Sequence, residues 1–160
     1  MSRSVPAGLE VAASAFDGAR FEEVHGDAVV RIDRAEVTGF MAAVRDAGYE
    51  MFIDLCAVDY LSRDPRFEVA INVVSVSPNR RLRVLVGIPG DDPVVPSISG
   101  VYPGANFYER EAFDLFGVRF QGHPDLTRIL LPDEWEGYPL RKDSPVGSVP
   151  VQFKEANKAT

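Results

Sequence analysis

Apolar residues recur along this chain in two rhythms, and each rhythm predicts a different element. Phe67, Val69, Ile71 and Val73 alternate with polar or small neighbours, as do Leu82, Val84, Val86 and Ile88. A period of two predicts half-buried strands over 66–76 and 81–88. Ser77-Pro78-Asn79 lies between them and has the chemistry of a tight turn, so the two strands are expected as antiparallel neighbours. A strongly apolar run over 50–58 predicts a third strand. Upstream, 21–25 and 28–32 flank a Gly26-Asp27 turn and read as a hairpin. Spacings of three and four appear at Val37, Phe40, Met41 and Val44 and predict a helix over 34–47. Asp33 and Glu36 supply a capping pattern at its start, and Gly48 a C-terminal cap. Leu9, Ala12, Ala13 and Phe16, behind Pro6, predict an earlier helix over 6–16. The order helix, two strands, helix, three strands implies a two-layer α+β domain with helices on one face of a sheet.

Beyond residue 88 the pattern changes. Residues 89–104 are rich in proline and glycine and read as a connector with one short helical turn over 97–101. A helix follows over 106–116 and ends at Gly117. From there the chain has only a short apolar run at 129–131 and a turn at 133–135. The chain thus divides into an α+β region with its connector (1–104), a charged helix with an extended segment (105–143), and a tail (144–160).

The middle region breaks the rule that surface helices segregate their charges. Glu109, Arg110, Glu111, Asp114, Arg119, His123, Asp125 and Arg128 are interleaved with Phe107, Tyr108, Phe113, Leu115, Phe116, Phe120, Ile129 and Leu130. Such mixing implies charges that are paired and partly dehydrated, as in an active site or a contact between proteins.

Composition narrows the choice. The chain has 160 residues, 46% of them hydrophobic, which suits one domain with a real core. A net charge of −7 argues against nucleic-acid binding, which calls for a basic stripe. Cys56 is the one cysteine, so an internal disulfide, a cysteine-rich zinc site and an iron–sulfur cluster are all excluded. Its apolar neighbours predict a buried structural thiol. The N-terminus lacks the apolar segment of a secretory signal, and no stretch approaches the ~18 apolar residues of a membrane span. A cytoplasmic chain that meets membranes only through partners is the expectation.

Glu109, Glu111, Asp114, His123 and Asp125 are the candidates for chemistry, as a metal site or an acid/base pair of a hydrolase. Helical spacing weakens that reading. Residues two apart point in different directions, so Glu109 and Glu111 do not share a ligand. Arg110 lies four residues before Asp114, which favours ion pairing over cation binding. The aromatics, Trp135 and Tyr138 among them, outnumber the regular elements available to bury them, and aromatics beside arginines suit the core of a protein contact.

The same residues carry a family resemblance. Glu109-Arg110-Glu111-Ala112-Phe113-Asp114-Leu115-Phe116-Gly117, then Gly122-His123-Pro124-Asp125-Leu126 and Arg128-Ile129-Leu130, resemble the signature of the C subunit of NADH-quinone oxidoreductase, respiratory complex I. Pro139-Leu140-Arg141-Lys142-Asp143 is similar to that family's next block, and 54–59 and 102–106 also fit. Phe107 stands where the family commonly has Trp, and Ser144 where it has an aromatic. The resemblance implies a mixed sheet followed by an extended C-terminal region lying on neighbouring proteins of the complex. It implies a non-catalytic component of the peripheral arm, without a cofactor of its own, beside the D, B and I subunits on the cytoplasmic side of the membrane. FMN, iron–sulfur clusters and quinone would belong to partners in the proton-translocating assembly. Signature residues Glu109, Arg110, Glu111, Asp114, Phe116, Gly117, His123, Pro124, Asp125, Arg128, Trp135, Pro139, Leu140, Arg141, Lys142 and Asp143 would form its contacts. Related components of membrane-bound hydrogenase and coenzyme F420 dehydrogenase complexes share the pattern.

Overall fold

The period-two segments pair with one another to make the sheet. A computed structural model describes Leu9 and residues 14–25, 27–77 and 79–145. The helix expected over 6–16 lies mainly outside these residues, as does the tail beyond 145. Strands β1 (Arg20–Val24) and β2 (Asp27–Ile32) form the expected hairpin. A 3-10 turn (Arg34–Glu36) leads into α1 (Val37–Asp46), followed by β3 (Met51–Asp59), β4 (Phe67–Ser75) and β5 (Arg80–Ile88). The five strands lie in the order β1-β2-β5-β4-β3. β2 and β5 run parallel and the other neighbours antiparallel, so the sheet is mixed.

Alternation decides the two faces. Val30 and Ile32 on β2, Leu82, Val84, Val86 and Ile88 on β5, and Phe67, Val69, Ile71 and Val73 on β4 all point into one core. Val37, Phe40, Met41 and Val44 of α1 cover it, as the three-and-four spacing requires. Leu9, fully buried, belongs to the same core. The Asp33 carboxylate accepts from the Ala35 N–H, which caps the 3-10 turn. At the far end Gly48 adopts φ 95, with Tyr49 N–H bonded to Val44 O and Gly48 N–H to Arg45 O. These two bonds form a Schellman closure, with buried Tyr49 packed behind it.

β3 solves a register problem. Its ladder to β4 shifts between Phe52 and Asp54, a bulge that leaves Ile53 as the extra residue. The shift lets Phe52 face inward toward the rings of Tyr102 and Tyr108, while Leu55, Ala57 and Asp59 also point inward beyond it. The same alternation turns Cys56 outward. The expected buried thiol is therefore corrected: Cys56 is exposed, on an edge strand. Residual burial and then the nearby Asp54 carboxylate raise its pKa, with Glu111 and Glu68 adding to the effect and Arg83 opposing it.

The opposite face of the sheet carries polar partners. Arg31 bonds Glu68 at 2.7 Å, Asn72 bonds Asp54 at 2.6 Å, and Arg83 reaches Asn72 at 3.0 Å.

The connector holds more structure than its composition suggests. β6 (Val94–Pro96) pairs in parallel with β7 (Arg119–Gln121), burying Val95, Val118 and Phe120. Tyr102 N–H closes on Ile98 O at 2.8 Å, the short helical turn expected there. Helix α2 (Ala105–Phe116) then packs along β3. Gly117, at φ 73, ends it by donating to Phe113 O.

Candidate functional site

Helix α2 points two of its three acids inward and turns Phe107 outward. Glu109 and Asp114 are fully buried, whereas Phe107 is 60% exposed. Each buried acid is satisfied by a different neighbouring segment.

Glu109 serves the first half of the helix. Its Oε2 accepts from the Ser97 hydroxyl at 2.6 Å and its Oε1 from Ile98 N–H at 2.7 Å. Burial pushes its pKa up, and the Ser97 and Ile98 donors and nearby His123 oppose that. His123 packs its ring beside it, with Nε2 at 4.0 Å from Oε2 and 3.2 Å from Asn106 O. Nδ1 accepts from Asp125 N–H at 3.0 Å, which leaves Nε2 as the ring nitrogen placed to donate to Asn106 O. Pro124 and Asp125 are exposed at the outside of this turn.

Asp114 serves the second half. Its Oδ1 accepts from Arg128 Nη1 at 2.7 Å. Its Oδ2 accepts three successive backbone N–H groups, from Ile129, Leu130 and Leu131, at 3.1, 2.8 and 2.9 Å. Burial would raise its pKa, but the three N–H donors and Arg128 outweigh burial and lower it. Arg128 also reaches Trp135 O at 2.9 Å and Gly137 O at 3.3 Å. Arg110, expected from its spacing to pair with Asp114, instead donates to Thr127 O, Thr127 Oγ1 and Arg128 O. A long arginine from across the chain takes the place of the neighbour one turn away, because Asp114 faces the core and Arg110 does not.

The last block folds back onto the sheet. Arg141 donates to Phe116 O at 2.6 Å and stacks over Tyr138 and Phe67. Leu140 N–H reaches Leu115 O, and Pro139 is half-buried beside it. Lys142 N–H donates to Asp59 Oδ2 at 2.9 Å, and Asp143 pairs with Arg66 at 3.0 Å. Asp59, 2% exposed, holds Arg66 through two parallel bonds of 2.9 and 2.8 Å. Arg66 first, then the Lys142 and Leu61 N–H groups, hold the Asp59 carboxyl well below the usual carboxylate range despite its burial.

Asp59, Arg66, Ser97 and Thr127 are not among the residues singled out from sequence as candidates. A signal for Asp59 exists: it occupies an inward position at the end of an alternating strand, where a carboxylate needs a partner. Of the candidates, Glu109 with His123, and Asp114 with Arg128, are brought together. Glu111 is exposed and stands apart from both pairs, and Asp125 joins the first only through its backbone N–H to His123, its side chain being exposed. Phe116 is half-buried and Gly117 buried, and Trp135 lends Arg128 its backbone oxygen. Among the described residues no three His, Cys, Asp or Glu side chains gather to hold a metal ion, and no helix is long and apolar enough to cross a membrane.

Gly117 is the tightest point of this arrangement. A Cβ there would lie 2.5 Å from both Arg141 Nη2 and the Tyr138 ring, at a φ of 73. The left-handed backbone alone costs a side-chain-bearing residue about 1–2 kcal/mol. Gly117→Ala is expected to lower the melting temperature and to speed proteolytic cleavage near Tyr138. Unchanged values for both would show that the segment around Tyr138 does not rest against the helix end.

Comparison with known proteins bears on the whole arrangement. The family model described as "Respiratory-chain NADH dehydrogenase, 30 Kd subunit" matches residues 30–149. The chain is 46% identical over 134 residues to the C subunit of NADH-quinone oxidoreductase from Roseiflexus sp., covering 82% of this chain and 77% of that one. It is 40% identical over 141 residues to the protein of the same name from Herpetosiphon aurantiacus, covering 86% and 82%. Among solved structures, a trypsin-resistant fragment of Nqo5 superposes with a TM-score of 0.66 at 34% identity, over 74% of this chain and 96% of that one. A chain of an archaeal membrane-bound sulfane sulfur reductase superposes with a TM-score of 0.77 over 95% and 96%, and at 21% identity it shows a common fold.

Proposed function

The chain belongs to the family of the 30 kDa subunit of respiratory-chain NADH dehydrogenase, and from that premise we propose that it acts as a non-catalytic docking component of NADH-quinone oxidoreductase. One observation carries this reading. Of the candidate acids, Glu109 and Asp114 are buried with hydrogen-bond donors on both carboxylate oxygens, and Glu111 and Asp125 lie exposed and, among the described residues, gather no metal-binding group, while Phe107 and Leu130 of the same region stand exposed. A carboxylate with its lone pairs already used is a poor general base or metal ligand. An exposed apolar surface on a charged scaffold is what a stable contact uses.

In this reading the chain holds no cofactor. FMN, iron–sulfur clusters and quinone reside in partner proteins of the complex, and electrons pass from NADH to quinone without entering this chain. Its partners are the D, B and I subunits, and it joins the cytoplasmic side of the membrane only through them. The resemblance stated for residues 106–143 supports these assignments, as does the family match over the same residues.

The test is recovery of the tagged chain from detergent-solubilised membranes. FMN, iron–sulfur clusters and NADH:quinone activity are expected in the eluate; nickel would identify a hydrogenase-type assembly instead. Elemental analysis of the isolated chain separates the hydrolase alternative, which requires a stoichiometric divalent metal. Arg128→Glu places a second acid against Asp114 and is expected to abolish recovery of the assembled arm. Normal assembly with lost turnover would count against a scaffold role.

A further inference from the structure

The segment after β7 is folded inside out. Arg110 grips the carbonyls of Thr127 and Arg128, and Asp114 collects the N–H groups of residues 129, 130 and 131. With its backbone polar groups drawn inward, this stretch sends its apolar side chains out. Leu130 is 61% exposed and Ile129 37%. They face Phe107 and Tyr108 of α2 across a groove of about 310 Å³, and Glu111 is the charged residue in its lining. No base among the described residues pairs with the Glu111 carboxylate.

Three features set this groove apart from scattered surface hydrophobics. Its two sides come from different elements that ion-pair and backbone clamps lock together, so it exists before any partner arrives. Its most exposed members, Phe107 and Leu130, are large residues on opposite walls of one groove, and an exposed aromatic such as Phe107 is of the kind enriched in protein contacts. Its one charge is unpaired, and leaving a carboxylate unpaired when apolar surface closes around it is costly. An occupant that buries the groove must therefore bring a cation to that point.

We propose that the groove of Phe107, Tyr108, Glu111, Ile129 and Leu130 receives a segment of a partner protein that inserts a large apolar side chain between Phe107 and Leu130 and places a lysine or arginine on Glu111. The inference rests on the docking role proposed above and specifies the chemistry of one contact within it.

The experiment uses the intact assembly. A photoreactive benzoylphenylalanine substituted for Phe107 is activated in the complex purified through the tagged chain, and the cross-linked peptide is sequenced. A peptide from another protein of the complex, with a lysine or arginine beside a bulky apolar residue, is expected. Leu130→Ser and Glu111→Lys should each weaken retention of the arm on the tagged chain, by roughly thirtyfold for the loss of a central apolar anchor. Glu111→Gln should weaken it less than Glu111→Lys does. All three isolated variants should melt like the parent, since these side chains are exposed. A cross-link only to residues 146–160 of the same chain, to a second copy, or to nothing would overturn the proposal while co-purification left the docking role standing. Failure of the unmodified chain to co-purify with any assembly would instead remove the docking role, and this contact with it.

Discussion

Asp114→Ala is expected to remove about 3–5 kcal/mol of folding stability, the range for breaking a buried, hydrogen-bonded charge pair. The loss is large because one carboxylate serves four donors: Arg128 on Oδ1 and three successive backbone N–H groups on Oδ2. Alanine leaves a partly buried guanidinium without its counter-ion and three amides without an acceptor. Asparagine should rescue little. Its amide offers one oxygen, so whichever way it lies an NH2 group faces either Arg128 or the three N–H groups. Against a typical total of about 5–15 kcal/mol, such a loss takes much of the stability. Urea unfolding of wild type, Asp114→Ala and Asp114→Asn decides the matter. An asparagine variant as stable as wild type would mean that the cluster contributes through shape rather than charge.

Asp59 is expected to carry the second large effect and a distinct pH signature. Asp59→Asn breaks the paired bonds to Arg66 and weakens the anchor for Lys142 N–H. Asp143 remains beside Arg66, so the cost should fall somewhat below that of Asp114, at about 2–4 kcal/mol. The carboxyl of Asp59 is held well below its ordinary value in the folded protein. A depressed folded value stabilises the fold above the unfolded value, near pH 4, and that contribution is lost as pH falls toward the folded one. Wild-type stability should therefore drop steeply below about pH 4, and Asp59→Asn should flatten that drop while leaving the protein weaker at pH 7. Asp114, whose carboxyl is also depressed, adds to the same acid loss, so the flattening is partial. Parallel stability curves for wild type and Asp59→Asn between pH 2 and 7 would show that Asp59 is not the group responsible.

What can be read from sequence divides along physical lines. β4 and β5 are legible because nine-residue strands repeat the alternation often enough to stand out, and α1 because its stripe, cap and closing glycine agree. β6 and β7 are not, since three residues carry too little periodicity and Pro96 argues against a strand. Cys56 is misplaced from sequence because hydrophobic neighbours say nothing of which face a strand residue takes. At the site, the charges to watch are evident from their crowding among aromatics. Their partners are not. Arg128 lies 14 residues from Asp114, and Lys142 lies 83 from Asp59, separations no local spacing rule reaches. Arg110 is legible as a clamp, but spacing assigns it the wrong thing to hold.

The far edge of the sheet has a consequence for the time before assembly. β1 is short, borders open solvent and carries Arg20, Glu22 and Glu23 as exposed charges. A longer, apolar edge strand would invite a newly made copy to add itself as a sixth strand and grow into aggregate. Short length and charge make that addition unfavourable. Growth of the sheet by a second copy is therefore disfavoured from the β1 edge, so a chain waiting for assembly is guarded on that side by its own charges.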